Sequence, residues 1–428
     1  MPGELESRLV PEKHVCVVGG GIIGLCTAWA LHESGCRVTV LEREPVFGTG
    51  CSFGNAGMIV PSHFTPLAAP GMMAMGLKWM LNPESPFAIR PRPSWSLVSW
   101  GWQFWRASTL QRVKQAAPVL RDLSLASRAI YQRWATEWEN PFGLCQHGML
   151  LLCKTEHGLE EEGHAAESAR QLGLDAHILS PQELALREPG VEFAVAGAVE
   201  YPADCHLNPG RLLRTLAGKL DQAGVERRAD WEALGWQMGA NSIQAVKTKQ
   251  GPVKADEFVL CAGSWSPLVT RDLKMRLPVQ PGKGYSLTIE QAPQQLHRCA
   301  ILTEARVAVT PLGQGLRVGG TLELTGLNSP LQARRVRGIV RSVPAYLPGF
   351  PESTFEGVAP WEGLRPCSPD GLPYIGRSRH YRNFLVATGH AMLGISLGPI
   401  TGQLISELVA ERQPSFPLEL LQPDRYSR

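Results

Sequence analysis

The chain has 428 residues, 19% of them charged, and a formal net charge of +3. That length admits two domains or one large composite domain, and that charge balance gives no bulk electrostatic reason to expect nucleic acid or a strongly acidic partner. The ten cysteines are scattered with no C-x-x-C pair, and Cys16, Cys26 and Cys261 sit in apolar runs as small buried hydrophobes, so a reducing, cytoplasmic setting is expected and no metal site.

Residues 1–13 mix charges and lack the apolar core of a secretory signal, so a frayed tail is expected there. No apolar run is long enough to span a membrane. The first organised stretch runs from His14 to Glu42. Val15, Val17 and Val18 suit a buried parallel strand, and Gly19, Gly21 and Gly24 follow in the spacing G-x-G-x-x-G. In that pattern the first glycine makes the tight turn, the second lets backbone approach a pyrophosphate, and the third packs helix on strand. A buried helix over Ile22 to Ser34 then ends at Gly35, with its N-terminus toward the phosphate charge. A second strand, Val38 to Leu41, ends at Glu42, placed to hydrogen-bond adenosine ribose hydroxyls. A carboxylate there repels a 2′-phosphate, so FAD and NAD both fit and NADP does not.

The segment after Glu42 is crowded with small residues (Gly50, Ser52, Gly54, Asn55, Ala56, Gly57), which suits backbone approaching a ligand. Residues 67–105 are rich in Met and Trp, including Trp79, Trp95, Trp100, Trp102 and Trp105. Such a segment packs in a core, lines a lid, or rests on a membrane surface, and the sequence leaves these open. A helix is expected over 119–138, a strand over 148–153 and a helix over 163–172. Ser180 and Glu183 form a capping box at the start of a short helix. An amphipathic helix over 208–224 precedes an expected strand over 224–234, and another strand over 256–262 runs into Gly263, Ser264 and Trp265, repeating the small-residue turn of the opening. Alternation at Val307, Val309, Leu316 and Val318 indicates antiparallel strands, so a mixed or antiparallel sheet is inserted into the dinucleotide-binding architecture. A charged helix is expected near 332–342. The strand NFLVAT leads to a last helix with Leu397, Ile400, Leu404 and Leu408 on one stripe. Its N-terminus, after Gly389, His390 and Gly394, presents a positive dipole end suited to the anionic side of a reduced flavin.

These elements carry a resemblance that covers almost the whole chain. VVGGGIIGLCTAWAL with Glu42, SFGNAGMIVPS, AAPGM, VLCAGSWS, PGKGYSLTI, LRVGGTLEL, GLRPCSPDGLPYIG and TGHAMLGISL resemble the FAD-dependent D-amino-acid dehydrogenases of bacteria, within the group that includes glycine oxidase, sarcosine oxidase and D-amino-acid oxidase. The resemblance implies an α/β (α+β) fold: a discontinuous Rossmann-like FAD-binding domain over 1–90, 199–274 and 358–428, with a substrate or cap domain over 91–198 and 275–357. It chooses FAD over NAD. The pyrophosphate would lie on Gly19, Gly20, Gly21, Ile22, Ile23 and Gly24, the adenosine near Glu42 and Arg43, and the ring near Ser52, Asn55, Ala56, Gly57 and Met58. Further cofactor contacts would come from Ala262, Gly263 and Trp265, and from Gly389, His390, Met392, Leu393 and Gly394 at the pyrimidine edge.

In related amine oxidases the arginine of a G-L-R-P element binds the substrate carboxylate, and here it is Arg365. A guanidinium matches a carboxylate bidentately, and the Gly-Leu-Arg-Pro context is expected to hold it on a short rigid turn; the competing reading is a surface salt bridge. Tyr285 is a second candidate for the carboxylate or a lid, and His63 for substrate contact, although a lone loop histidine is commonly just solvated. The implied reaction moves hydride from Cα of a D-amino acid to flavin N5, giving an imino acid. The acceptor would be a quinone, another respiratory carrier or O₂, with peripheral contact on the inner face of the plasma membrane. Two alternatives stay open: a cyclic D-imino acid (D-hydroxyproline or D-proline) or N-methyl amino acid as substrate, and a flavoprotein subunit of an electron-transfer complex with weak activity of its own.

Overall fold

The apolar run His14–Val18 is buried from its second residue on, at the centre of a parallel sheet, where a strand covered on both faces needs no polar alternation. The computed structural model describes residues 13–46, 50–80, 85–90, 92–273 and 275–427, without the side chains of 77–80; the expected N-terminal tail over 1–12 and the side chain of Trp79 lie outside the described residues. In this six-stranded sheet His14–Val18 pairs in parallel with Arg37–Leu41 on one side and Glu257–Leu260 on the other. Glu226–Arg228 extends one edge, and Phe384–Thr388 with the antiparallel Tyr374–Arg377 extends the other. The expected strand over 224–234 is thus shorter: only three residues find a parallel partner, and the chain then turns away.

The helix Ile22–Glu33 ends before Gly35, which takes φ +84 as its left-handed stop. It crosses the last helix, Gly394–Val409, at close range. A Cβ on Gly402 would stand 2.4 Å from the Cys26 carbonyl oxygen, so glycine sets the approach. Leu397, Ile400 and Leu404 fill the core as their stripe predicts. Across this pair lies Leu110–Glu137, from which the Tyr131 hydroxyl donates to the Ile395 carbonyl at 2.8 Å. The sequence predicts that helix from 119, but it starts at Leu110 and Pro118 lies inside it. An internal proline costs about 3 kcal/mol, and burial of Leu120, Leu123, Tyr131 and Trp134 at roughly 1.5–3 kcal/mol each offsets it. The capping box at Ser180 and Glu183 forms with both of its hydrogen bonds.

A second, nine-stranded mixed sheet runs in the order Trp361–Cys367, Gln280–Ile289, Gly315–Leu324, Val307–Leu312, Cys299–Leu302, Met149–Cys153, Gly197–Tyr201 and His177–Leu179, with Phe87–Ile89 also pairing on Gly315–Leu324. Phe87–Ile89 and Trp361–Cys367, from segments expected in the FAD-binding part, therefore pair here. One face packs Tyr285, Leu287, Val309 and Val318 under the helix Ala333–Tyr346. Met149, Leu151 and Val199 on the other face join the core that holds Ile22–Glu33. Gly284, Ser286 and Arg365 lie on the face turned away from that helix.

Candidate active site

The glycine turn is shaped by contacts that a side chain would destroy. Gly19 takes φ +114, and a Cβ on Gly24 would stand 1.8 Å from the Gly19 carbonyl oxygen. At Gly21 a Cβ would meet only Ser52 Oγ, at an ordinary contact distance of 3.6 Å. That asymmetry is what a phosphate-binding turn requires: closed toward the protein, open toward the ligand. Glu42 holds the turn together, its Oε2 accepting from the Gly20 N–H at 2.7 Å and its Oε1 from the Glu44 N–H at 2.9 Å. Ile22, first in its helix, donates its N–H to Ser52 Oγ at 3.1 Å.

From this turn a long groove runs across the carboxyl ends of the parallel strands. Its walls include Gly19, Gly21, Ile22, Ile23, Glu42, Arg43, Ser52, Asn55, Ala262, Gly263, Trp265, His390 and Gly394. The Arg43 guanidinium lies 3.7 Å from the centre of the Trp265 ring and closes one side. Cys51, Ser264, Leu364, Pro366 and Ala391 also line it, as does the turn Trp231 to Leu234 that the sequence suggested was a strand. Among the expected contacts, Gly20, Gly24, Ala56, Gly57, Met58, Gly389, Met392 and Leu393 do not line the groove, and most shape its walls from behind. Gly57, at φ +79, accepts no side chain because a Cβ would stand 2.1 Å from the Leu207 carbonyl oxygen. Met58 pairs in a short strand with His206, Leu393 caps the last helix, and Met392 is exposed.

The loop over 53–55 is held from the second sheet by its carbonyl oxygens. Arg317 Nη1 donates to those of Phe53, at 2.9 Å, and Asn55, at 2.7 Å, and Ser286 Oγ donates to that of Gly54 at 3.0 Å. Arg317 is buried, its third partner is the neutral Thr288 Oγ1, and burial lowers its pKa to about 10. No carboxylate among the described residues neutralises it. In the sequence this residue stands inside LRVGGTLEL with no role assigned. Its signal was a charged residue at a position whose neighbours Leu316 and Val318 alternate as core.

Arg365 is not on a turn. It lies within the strand Trp361–Cys367, opposite Gly282, and its side chain folds over Gly284, where a Cβ would meet the guanidinium at 2.1 Å. The edge position of this strand explains the difference, since Pro366 lacks an N–H that an edge strand can do without. Arg365 Nη1 donates to the Thr321 carbonyl at 2.6 Å, and its charge acts on the thiol of Cys51 in the groove wall. Leu364 and Pro366, on either side of it in sequence, line the groove. The loop before the last helix is stitched to the same strand, with the Ala391 N–H donating to the Pro366 carbonyl at 2.9 Å. The Trp361 ring lies flat against Gly54 and Gly363 on this side.

Tyr285 faces the other way, and the expectation for it is corrected. Along Gln280–Ile289 the glycines 282 and 284 and Ser286 face Arg365, so Tyr285 enters the core under Ala333–Tyr346. Its hydroxyl donates to Glu323 at 3.1 Å and accepts from the Gln332 N–H at 3.3 Å. His63 joins a chain of polar groups: its Nδ1 lies 3.2 Å from Ser62 Oγ, which donates to the buried Asp204 at 2.5 Å. Burial, with the charge of Arg306, lowers the His63 pKa to about 4. His390 is buried with Nε2 3.0 Å from Thr401 Oγ1, and burial takes its pKa to about 3. Both imidazoles are neutral near pH 7. Among the described residues no cluster of His, Cys, Asp or Glu is placed to hold a metal ion.

Residues 14–408 match the DAO family, described as FAD dependent oxidoreductase. Over 411 residues the chain is 30% identical to a D-amino acid dehydrogenase of Granulibacter bethesdensis, taking in 94% of this chain and 97% of that protein. Its fold is similar to the crystal structure of glycine oxidase from Geobacillus kaustophilus, with a TM-score of 0.77 at 23% identity over 96% of this chain and 99% of the other. It is also similar to L-proline dehydrogenase from P. horikoshii, with a TM-score of 0.73 at 18% identity over 97% and 98% of the two chains. A glycine turn closed by backbone at Gly19 and Gly24, a carboxylate at the end of the second strand and a family match over nearly the whole length agree: the chain belongs to the DAO family of FAD-dependent oxidoreductases.

Proposed function

We propose that this protein oxidises the Cα–N bond of an α-amino acid, with D-amino acids as the preferred class, and passes the electrons to a quinone or another respiratory carrier. The observation that carries this reading is Arg365, a half-buried guanidinium beside the groove whose hydrogen-bond partner among the described residues is a backbone carbonyl and not a carboxylate. A cation so placed has its charge left for a substrate carboxylate, which its planar fork binds bidentately. The relative named as a D-amino acid dehydrogenase supports the substrate class and the choice of a dehydrogenase over an oxidase.

FAD, when bound, supplies the two-electron acceptor for the Cα hydride, a chemistry that no side chain offers. The turn at Gly19, Gly21 and Gly24, with Glu42, would hold its pyrophosphate and adenosine, and the 53–55 loop with His390 and Gly394 would border its ring. Arg365 fixes the carboxylate and so orients Cα and the amine in one productive direction. As Cα–H leaves with its electron pair the nitrogen loses a proton to solvent and a C=N bond forms. Water then releases a 2-oxo acid and ammonia from an acyclic product. His63 and His390 are neutral, so neither protonates the amine, and kcat/KM rises with pH until the bound amine is uncharged.

Anaerobic bleaching of the bound flavin by D- and L-amino acids, prolines and N-methyl amino acids tests the class. Bleaching by D-amino acids supports the reading, whereas a yellow protein that no amine bleaches points to the electron-transfer subunit. Arg365→Ala should raise KM at least about tenfold with FAD retained, the loss of one charged hydrogen-bonding partner. An unchanged KM would sink the assignment. Reoxidation of the reduced protein by a soluble quinone faster than by O₂ checks the acceptor.

A further inference from the structure

The helix Trp95–Ala107 has two apolar faces, and only one of them is used. Trp100, Phe104 and Ala107 are buried in a core with Leu324 and Cys367, and Trp100 Nε1 donates to the Cys367 carbonyl at 2.9 Å. On the opposite side Trp95, Val98, Trp102 and Trp105 are 87%, 59%, 57% and 56% exposed. At 3.6 residues per turn these four fall within an arc of about 80°, so they form one continuous stripe. The rings of Trp102 and Trp105 lie 5.0 Å apart, and Leu110, 68% exposed, follows at the start of the next helix. Monomer surfaces seldom carry a ridge of large apolar side chains of this kind without an occupant.

Charge narrows the choice of occupant. Between Glu84 and Asp122 the sequence carries Arg90, Arg92, Arg106, Arg112, Lys114 and Arg121 and not one Asp or Glu. Arg106 on this helix and Arg112 and Lys114 near the start of the next are exposed, and no carboxylate among the described residues pairs with them. The rest of the chain is therefore more acidic than its small net charge suggests. Tryptophans set among unpaired cations are what the interface of an anionic bilayer selects: the indole sits at headgroup depth and the basic residues meet lipid phosphates. No helix among the described residues is long and apolar enough to cross a membrane, so contact would be confined to the surface.

We propose that the exposed face of Trp95–Ala107 seats this protein on an anionic phospholipid surface. The opposite face of the same helix touches Cys367, two residues from Arg365, so the bilayer would lie about one helix diameter, roughly 10 Å, from the strand that carries the substrate cation. A carrier dissolved in the membrane then has a short path to the ring end of the groove. The sequence allowed core, lid or membrane for the tryptophans of this segment, and the fold divides them: Trp100 is core, while Trp95, Trp102 and Trp105 are surface.

The test is co-sedimentation of the full-length, FAD-loaded protein with vesicles of phosphatidylcholine containing roughly one-third phosphatidylglycerol, against vesicles of phosphatidylcholine alone. Binding should favour the anionic vesicles by at least about tenfold, weaken as salt rises, and shift tryptophan emission to the blue. The variant W95S/W102S/W105S should lose at least about tenfold in vesicle partitioning, and R106E/R112E/K114E should lose the preference for anionic lipid. Both should keep wild-type flavin absorbance, Tm and turnover with a soluble dye as acceptor. Wild-type protein that stays in the supernatant, or a triple tryptophan variant that binds as well as wild type, overturns the proposal. So does a wild-type dimer that the tryptophan variant converts to monomer without any vesicle binding, because a second copy then covers the face. Vesicle binding is read without turnover, so failure of the substrate assignment leaves this outcome distinct.

Discussion

Around the glycine turn, Gly19, Gly21, Gly24 and Glu42 belong to one strand–helix–strand unit, and their work is done by backbone at close range. Around Arg365 the contributors are Gly54, Gly284, Ser286, Arg317, Thr321 and Trp361, drawn from a loop and three strands, and the work is done by buried charge and aromatic surface. At Gly19 and Gly24 the first region meets any added atom with backbone. In the second the space at Gly54 and Gly284 is filled by the side chains of Trp361 and Arg365, and the region depends on long side chains reaching across the molecule: Arg317 and Phe53 are 264 residues apart in sequence. On the proposed function, a cofactor common to many proteins would be met by a rigid local unit, and the substrate by residues that can be re-equipped strand by strand.

Substitutions at the two ends should fail in different ways. The largest effect is expected for Gly24→Val, whose Cβ would overlap the Gly19 carbonyl. Displaced backbone should cost more than about 3 kcal/mol, seen as loss of soluble yellow protein. A well-folded, FAD-loaded Gly24→Val protein would break the contrast. Next comes Arg365, where Arg365→Lys should fall between wild type and Arg365→Ala in KM, because an ammonium keeps the charge but not the fork.

Arg317→Met sharpens the division further. It leaves the Phe53 and Asn55 carbonyls without their donor, at roughly 1–3 kcal/mol per unsatisfied group. The expected readout is an FAD Kd raised about tenfold and a lower Tm, with KM for the amino acid changed far less. If KM rises as much as in Arg365→Ala while FAD stays tightly bound, Arg317 acts on substrate and not on the loop.

The smallest effects are those of pH. Burial lowers the pKa of His206 to about 4 and of His390 to about 3. In the unfolded chain both take up protons as pH drops below about 6.5, so their stability contribution is complete above that value and is lost as pH falls toward 3. Asp204 has the opposite sense. Burial raises its pKa to about 7, so the fold favours the protonated form, and its contribution is complete below about pH 4 and lost as pH rises through 7. Asp204→Asn removes this second slope alone. Its Tm relative to wild type should rise between pH 4 and pH 8 by a few degrees, and a constant difference would contradict the assignment.

The sequence by itself determined what depends on neighbours in the chain. The glycine spacing with its terminal Glu42, the Ser180–Glu183 capping box and the stripe of the last helix all appear as read, because turns, caps and amphipathic helices are set by residues a few positions apart. Helix length was less legible, since the propensity rule that stops a helix at Pro118 is outweighed by tertiary burial. Only the tertiary structure decided which way the strand residues face. Gln280–Ile289 is buried on both sides, so alternation gives no sign of which set faces the helix Ala333–Tyr346, and Tyr285 goes to that core while Gly284 faces Arg365 and Ser286 the Gly54 carbonyl. In the same way, no local rule shows that three successive carbonyls would be bound by Arg317 and Ser286, that Arg365 would sit on an edge strand, or that one helix would bury Trp100 and leave Trp95, Trp102 and Trp105 outside. Each of these is fixed by a partner distant in sequence, as far as 267 residues for Trp100 and Cys367, or by the shape of a packed face, and a single sequence carries neither.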